Sequence, residues 1–459
     1  MPFFRQPGRP GVTLLLLNFF LLLTAWPAAG ELFPLYPIIK NNVAFWEDVY
    51  GRYSTTQGIL HDQDDLSKVY GVVDLVHWDA PGAAHINKEI IGRARQHYKA
   101  ILNDLANGKA ARSSEEQRIA ALFSSRNRHA FLKARDNIRL QVGQKDRFLE
   151  GVIRSGAYLP AIRKTLAKYN LPSELAYLPH VESSFNPKAY SKAGASGLWQ
   201  FTRGTGVQFL TINDEVDERS DPFFSTEAAA RFLKENHAQL GTWPLAITAY
   251  NHGRAGMVRA VREKGTYENI FKSHQTNLFK FASRNFYSEF LAAMNVARRL
   301  EQDPKIIRDQ PEATLLLRMA GYVRASDIRT HFRIATEDFA RLNPSLREPV
   351  LTGAKLIPKG FQVRLPATGS IRELARAFPA GLYHPAQIRD REYIVRRGDT
   401  AGAIARKFGL SVKELAGANN LDKRATVKVG QRLKIPGGRQ EPAKITSTLR
   451  PEKTKQKPN

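Results

Sequence analysis

The chain has 459 residues, 42% of them hydrophobic and 24% charged, which is the balance of soluble globular protein with room for several domains. A net charge of +26 favours anionic partners, whether nucleic acid, anionic lipid or an acidic polymer such as cell wall, and does not choose among them. Cysteine is absent, which excludes disulfides, a thiol nucleophile, thiolate metal ligands and a lipid carried on a lipobox cysteine.

The N-terminus begins with MPFFRQPGRP, continues through the apolar run VTLLLLNFFLLLTA and ends in the small residues of WPAAG. That is the order of a secretory signal peptide, residues 1–30, cleaved near Gly30. The uncharged stretch from Pro10 to Gly30 is also just long enough to stay as an N-terminal anchor. Both readings export the chain to the periplasm or cell envelope, and export argues against nucleic acid as a partner. Residues 31–150 read as mostly helical. INKEIIGRARQHYKAILNDL sets Ile86, Ile90, Ala94, His97 or Tyr98, and Ile101 or Leu102 on one stripe. No chemistry is evident there.

Residues 151–305 continue as shorter helices, with STEAAARFLKENHAQL and FYSEFLAAMNVARRL both amphipathic and Ser225-Thr226-Glu227 placed as a helix start. After 311 short β-rich runs appear, such as EYIVRR and QRLKIP, beside Gly or Pro. TEDFARLNPSL…KGFQVRLP (336–366) echoes SVKELAGANNL…GQRLKIP (411–436) in order and spacing. The tail 438–459 is rich in Lys, Pro and Thr and reads as disordered.

The informative stretch is HVESSFNPKAYSKAGASGLWQFTRGTG, residues 180–206, which holds a single carboxylate, Glu182. Upstream, Pro172 and Ser173 suggest a helix start with Ser173 as N-cap. Leu175, Leu178 and Glu182 then share one helical face, with Pro179 as an interior kink. A glutamic acid buried there would keep its proton to near neutral pH and could donate it to a leaving oxygen, as glycoside cleavage requires. A capped or salt-bridged helix-end glutamate is the alternative. Downstream, Ser191 precedes the small residues GASG, and GLWQF offers Trp199 as a sugar platform or a core residue and Gln200 as a donor–acceptor pair. Tyr250 and Asn251 end a small-residue helix in ITAYNHGRAG, and Tyr287 opens another in NFYSEFLAAM. His180 and His252 fit no metal-ligand spacing, so no metal and no cofactor are expected.

Together these residues resemble the lysozyme-like lytic transglycosylase family of bacterial cell-wall enzymes, in its membrane-bound D subtype. The resemblance rests on Glu182-Ser183, Ser191, Gly194 to Gln200, Ala249-Tyr250-Asn251 and Tyr287 standing in order. Residues 393–436 resemble the LysM peptidoglycan-binding module, a βααβ unit, with Ser411 and Glu414 as a capping box. Ala401 stands where that pattern has leucine, and 317–366 would be a degenerate LysM-like copy.

The implied fold class is mainly α: a lysozyme-like catalytic domain (goose-type lysozyme/soluble lytic transglycosylase), residues 151–305, plus a small α+β LysM (βααβ) module, residues 392–437. The implied partners are peptidoglycan glycan strands of N-acetylglucosamine and N-acetylmuramic acid, engaged by a monomer. In the implied reaction Glu182 protonates the glycosidic oxygen. The substrate's 2-acetamido group stabilises the cationic centre in place of a second carboxylate. Glu182 then takes the proton of the muramic C6 hydroxyl, closing a 1,6-anhydro ring. Ser191, Gln200, Tyr250, Asn251 and Tyr287 would bind or position the saccharide. In the module Gly398, Asp399, Thr400, Asn419 and Asn420 would line the glycan groove. A hydrolase of the goose-lysozyme kind and an inactive wall-binding protein are the rival readings.

Overall fold

The computed structural model describes residues 31–125 and 127–436. The expected signal segment and basic tail lie outside them. A one-turn 3-10 helix, Pro37–Ile39, leads into α1 (Lys40–Gly51). Next comes β1 (Gln57–Asp62), flanked in an antiparallel sheet by β2 (Val69–Asp74) and, far along the chain, by β3 (Ile138–Val142). Between these last two run α2 (Ala83–Ala106), α3 (Ser114–Ala121) and α4 (Arg128–Asp136).

This sheet corrects the reading of 31–150 as a helical region. The central strand QGILHD is buried on both faces and so lacks the alternation that marks a half-exposed strand. Its successive side chains still point opposite ways. Leu60 joins a small core with Tyr70, Tyr98, Leu102 and Phe131, whereas Ile59 joins the main core of the molecule. The expected stripe on α2 holds only over its second half, where Tyr98, Ile101 and Leu102 are buried while Ile86 is exposed.

The next helices are α5 (Lys145–Ser155), α6 (Leu159–Lys168), α7 (Leu178–Ser183), α8 (Arg203–Gly206), α9 (Pro222–Leu240), α10 (Trp243–His252), α11 (Arg254–Lys264), α12 (Tyr267–Ser273) and α13 (Phe281–Glu301). One continuous core runs from Phe33 to Ala297 and includes Trp46, Ile59 and Phe148. The boundary drawn near 150 therefore does not separate two cores: α1, one face of the sheet and α5 share the core of the helices that follow. The start of α9 also differs from expectation. Asp221 is its N-cap, accepting from the backbone N–H of Phe223 at 2.8 Å and of Phe224 at 3.1 Å, with Pro222 in the first turn. Ser225 lies inside the helix, and its hydroxyl donates to the Asp221 carbonyl at 2.7 Å.

Two βααβ units follow. The first comprises β4 (Thr314–Arg318), α14 (Ala325–Phe332), α15 (Thr336–Leu342), the short α16 (Glu348–Leu351) and β5 (Gln362–Pro366). After α17 (Gly369–Arg376) comes the second: β6 (Arg391–Ile394), α18 (Ala401–Lys407), α19 (Val412–Asn419) and β7 (Arg432–Ile435). In both, an asparagine at the end of the second helix clips the returning strand. Asn343 donates to Phe339 O and Arg364 O and accepts from Arg364 N. Asn419 does the same with Leu415 O, Lys434 O and Lys434 N. No helix among the described residues is long and apolar enough to cross a membrane.

Candidate active site

Glu182 stands in the last turn of α7. The approach differs from expectation: Ser173 is the first residue of a 3-10 turn, Ser173–Tyr177, whose N-cap is Pro172. Pro179 occupies the second position of α7, where its missing N–H costs no helical bond. The helix is thus broken in two rather than kinked. It stops sharply, because Ser184 (φ 49°) and Phe185 (φ 53°) both take the left-handed conformation. Phe185 is buried in the core, and the Ser184 carbonyl accepts from Arg154 Nη2 at 2.8 Å. Ser183 Oγ donates to Leu198 O at 2.8 Å, tying the end of α7 to the GLWQ loop.

Glu182 itself is half-buried and accepts no hydrogen bond and joins no ion pair among the described residues. This decides between the two readings of its local sequence, since it is neither a capping nor a salt-bridged glutamate. Loss of hydration, and secondarily the nearby Glu289 carboxyl, push its pKa up to about 8. It can therefore hold a proton at neutral pH and, once ionised, is a better proton acceptor than an ordinary carboxylate.

The loop facing α7 is rigid for reasons legible in its residues. Gly197 has φ 80°, and a Cβ there would overlap the Arg219 carbonyl. Arg219 is buried, bonded to Asp217 through Nε (2.9 Å) and Nη2 (2.7 Å) and to the carbonyls of Gly194 and Phe201 through Nη1. Ser191 Oγ accepts from Ala195 N at 3.0 Å, so this hydroxyl shapes the loop. Gln200 has φ 48°, a left-handed backbone uncommon for a non-glycine residue, and its amide nitrogen donates to Gly197 O at 2.8 Å. Trp199 is no platform. It is fully buried, with Nε1 donating to Thr226 Oγ1 at 2.8 Å.

Tyr250, in the last turn of α10, donates to Trp199 O at 2.8 Å. Its phenol is pushed well above its ordinary pKa by burial and then by the charge of Glu182, so the two groups share one electrostatic environment. Asn251 is exposed and its Oδ1 accepts from Ser283 Oγ at 2.9 Å, joining α10 to α13. Tyr287 stands apart from these groups. It lies well inside α13, fully buried, its hydroxyl donating to Pro34 O at 3.0 Å and its ring 5.2 Å from that of Tyr267. Among the described residues it makes no hydrogen bond to Glu182. His180 is also core: its ring stacks on Phe148, and burial, with a smaller effect from Arg154, lowers its pKa to about 3.

Two neighbours of Glu182 escaped the sequence. Glu289, on α13, is half-buried and its pKa is likewise raised to about 8, mainly by burial and against the pull of Arg139. Tyr50, on α1, is raised well above its ordinary value by burial and then by Glu289 and Glu182 together. The view of Glu182 as a carboxylate without a partner therefore does not survive in three dimensions.

In the second βααβ unit, Gly398 has φ 88° in the turn after β6. Asp399 accepts from Arg396 N (2.7 Å) and Tyr393 Oη (2.8 Å), and Thr400 caps α18 through Ala403 N (3.1 Å). Asn420 is the left-handed cap of α19, and Gly398, Thr400 and Asn420 are exposed. The Ser411–Glu414 capping box is formed, and Ala401 is buried in the module core. Among the described residues no group of three or more His, Cys, Asp or Glu is placed to hold a metal ion.

Comparison with known proteins gives two domain matches: a transglycosylase SLT domain over residues 160–271 and a LysM domain over 393–436. Glu182, Ser191, Gln200, Tyr250 and Asn251 lie inside the first, and Glu289 lies outside it. The chain is similar to membrane-bound lytic murein transglycosylase D of Escherichia coli (strain K12), 24% identical over 377 residues, covering 76% of this chain and 81% of that protein. It is also similar to a protein of Alteromonas sp. (strain M-1) named for tributyltin chloride resistance, 41% identical over 130 residues, covering 27% of this chain and 63% of that one. Among solved structures, a soluble lytic transglycosylase of Escherichia coli aligns at 17% identity over 52% of this chain and 39% of that chain, with a TM-score of 0.29.

Proposed function

We propose that this chain, which joins a transglycosylase SLT domain to a LysM domain, is a peptidoglycan lytic transglycosylase of the bacterial cell envelope that leaves 1,6-anhydro-N-acetylmuramic acid ends. The observation that carries the reading is Glu182: a carboxyl at a short helix end, raised to about 8, that accepts no hydrogen bond and joins no ion pair among the described residues. Such a group gives a proton to the glycosidic oxygen and, when ionised, receives one from the C6 hydroxyl that attacks C1. Both proton transfers then use one side chain, and no water is consumed.

Tyr250 stands beside that carboxyl with its ring and hydroxyl fixed, so it can hold a sugar against Glu182 without moving. Gln200 keeps its amide oxygen free of hydrogen bonds to the described residues, leaving it to accept from a hydroxyl or acetamido N–H. Ser191 and Asn251 support these positions through the loop and the α10–α13 join. The LysM domain supplies wall affinity, raising the effective concentration of glycan at the catalytic body. A net charge of +26 further retains the enzyme on a mesh bearing peptide carboxylates. We assign the first βααβ unit to the same fold as the LysM domain, acting as the joint between that domain and the catalytic body.

A hydrolase of the goose-lysozyme kind differs only in using water as the acceptor, and the nearby Glu289 is the observation that favours it. Muropeptides released from purified sacculi decide the matter by mass, since an anhydro end lacks one water relative to a reducing end. The expected result is anhydro product from the wild type and a loss of roughly a thousandfold or more in rate for Glu182→Gln, with glycan binding retained. Near-full activity in that variant would overturn the assignment.

A further inference from the structure

The segment from Gly194 to Phe201 lies outside any helix or strand, so its carbonyls depend on partners brought by other parts of the chain. Leu198 O receives Ser183 Oγ and Trp199 O receives Tyr250 Oη, each at 2.8 Å. The two ends of the segment are held by a single nitrogen. Arg219 Nη1 donates to Gly194 O at 2.9 Å and to Phe201 O at 3.2 Å. A guanidinium carries its five N–H donors in one plane. Asp217 takes Nε at 2.9 Å and Nη2 at 2.7 Å, which leaves both hydrogens of Nη1 for the two carbonyls. Asp217 therefore sets the direction in which Nη1 points. The stem of Arg219 is packed as well, since a Cβ on Gly206 of α8 would come within 3.1 Å of its Cδ.

Asp217 in turn is held from outside the core that contains Glu182. Its loop, 213–218, is a short return closed by Asn213 N to Val216 O at 2.8 Å and by Glu218 N to Thr211 O at 3.0 Å. Val216 is its one apolar side chain, the others being amide or carboxylate. That side chain is buried in the core of the first βααβ unit, with Phe339, Leu346 and Val363, and not in the main core. Backbone pairing follows the same path. Asp217 N donates to Ser345 O at 2.8 Å and Arg347 N to Glu215 O at 2.9 Å, with Leu346 bridged to Val216 between them.

We propose that Arg219 is a positioning residue for the saccharide-binding loop, and that the first βααβ unit, through Val216 and Ser345, keeps Asp217 where it aims Arg219. The inference rests on Gln200 binding saccharide in the proposed reaction. Gln200 is placed by the stapled segment itself. Its backbone is left-handed, its amide nitrogen is taken by Gly197 O at 2.8 Å and Ala189 O at 3.3 Å, and the next carbonyl along is the one Arg219 holds. Releasing Gly194 O and Phe201 O turns the Gln200 amide away from the sugar, while Glu182 keeps its place on α7. In this arrangement the first unit works on the catalytic site, and the LysM domain beyond it works on the wall.

The experiment measures kcat and KM for the formation of anhydro ends from soluble, uncrosslinked peptidoglycan strands, which need no capture on a solid wall. Full-length wild type is compared with Arg219→Lys, Val216→Ser, Gln200→Ala and the two double variants that carry Gln200→Ala. Each is checked for fold by circular dichroism. Lysine keeps the charge and can meet Asp217, but it lacks the planar fork that reaches both carbonyls. KM should rise about tenfold in Arg219→Lys, the worth of about one hydrogen bond to the sugar, with kcat within about threefold of wild type. Val216→Ser should raise KM in the same direction, by about threefold. In the Gln200→Ala background either substitution should change KM by less than about twofold, because the group it positions is already gone.

Additive changes of KM in the double variants overturn the proposal, since Arg219 would then act on something other than Gln200. An unchanged KM in folded Arg219→Lys overturns it too, as does a loss confined to kcat. An unchanged KM in folded Val216→Ser overturns the part given to the first unit. Should Arg219→Lys fail to fold, Val216→Ser with and without Gln200→Ala still decides. A wild-type KM in Gln200→Ala removes the saccharide role of Gln200 and the proposal with it. All of these results leave Glu182 as the acid. Only a wild type without anhydro product, or an active Glu182→Gln, removes the functional reading as well.

Discussion

The two βααβ units share a strand pairing, a helix pair and an asparagine clip, yet they are joined to the rest of the molecule in opposite ways. The loops of the first are used up internally. After β4, Tyr322 exchanges backbone bonds with His384, and Val323 does so with Ile357. After α15, Ser345 O accepts from Asp217 N at 2.8 Å, and Arg347 reaches Glu215 O and Asn213 O. Arg364 lies 3.8 Å from the buried carboxylate of Asp221, the N-cap of α9. The second unit is held by exposed ion pairs, Lys413 to Glu348 of the first unit at 3.4 Å and Lys434 to Asp214 of the body at 3.5 Å, beside a cavity of about 270 Å³. Its turn residues face solvent. One small fold thus serves as a fixed joint where its loops are paired and leaves a binding face open where they are not.

The contrast can be broken at several places. The largest effect is expected from truncation after residue 390, which should lower affinity for sacculi about a hundredfold while the unfolding transition of the catalytic body stays where it is. If binding survived, the first unit would be carrying glycan and the contrast would fail. Arg364→Met is next. Stranding the Asp221 carboxylate should destabilise the body by about 3 kcal/mol in urea unfolding followed by tryptophan fluorescence, with wall affinity unchanged. The smallest effects concern the clips. Asn343→Ala should cost about 2 kcal/mol because its bonds are fully buried, and Asn419→Ala about 1 kcal/mol because water reaches its site. Equal losses at the two asparagines would mean that the second unit is as tightly enclosed as the first.

What could be read along the chain is what closes within a few residues. The Ser411–Glu414 box is such a case, as is the break around Glu182, because Pro179 and the residues after Ser183 act locally. Glu182, Ser191, Gln200 and Tyr250 were picked out by their order along the chain and its resemblance to a known family, and each sits at a helix end or tight turn. Strand β1 was not, because its partner β3 lies beyond three helices and its double burial erases alternation. The VYGVVD run of β2, rich in β-branched residues, was the signal that could have revealed the sheet. On α13 helical phasing alone does not tell which face meets α7, so Glu289 was not legible as a neighbour of Glu182. Trp199 looked equally suited to sugar or core until Thr226 was seen to receive its N–H.

The sequence by itself singled out Glu182, the GLWQ loop and the βααβ pattern of the LysM domain, because these depend on residue type and short-range order. Only the tertiary structure decided how tightly Glu182 holds its proton. That depends on the water removed by packing and on the charge that α13 brings from a distant part of the chain, and neither is written at position 182.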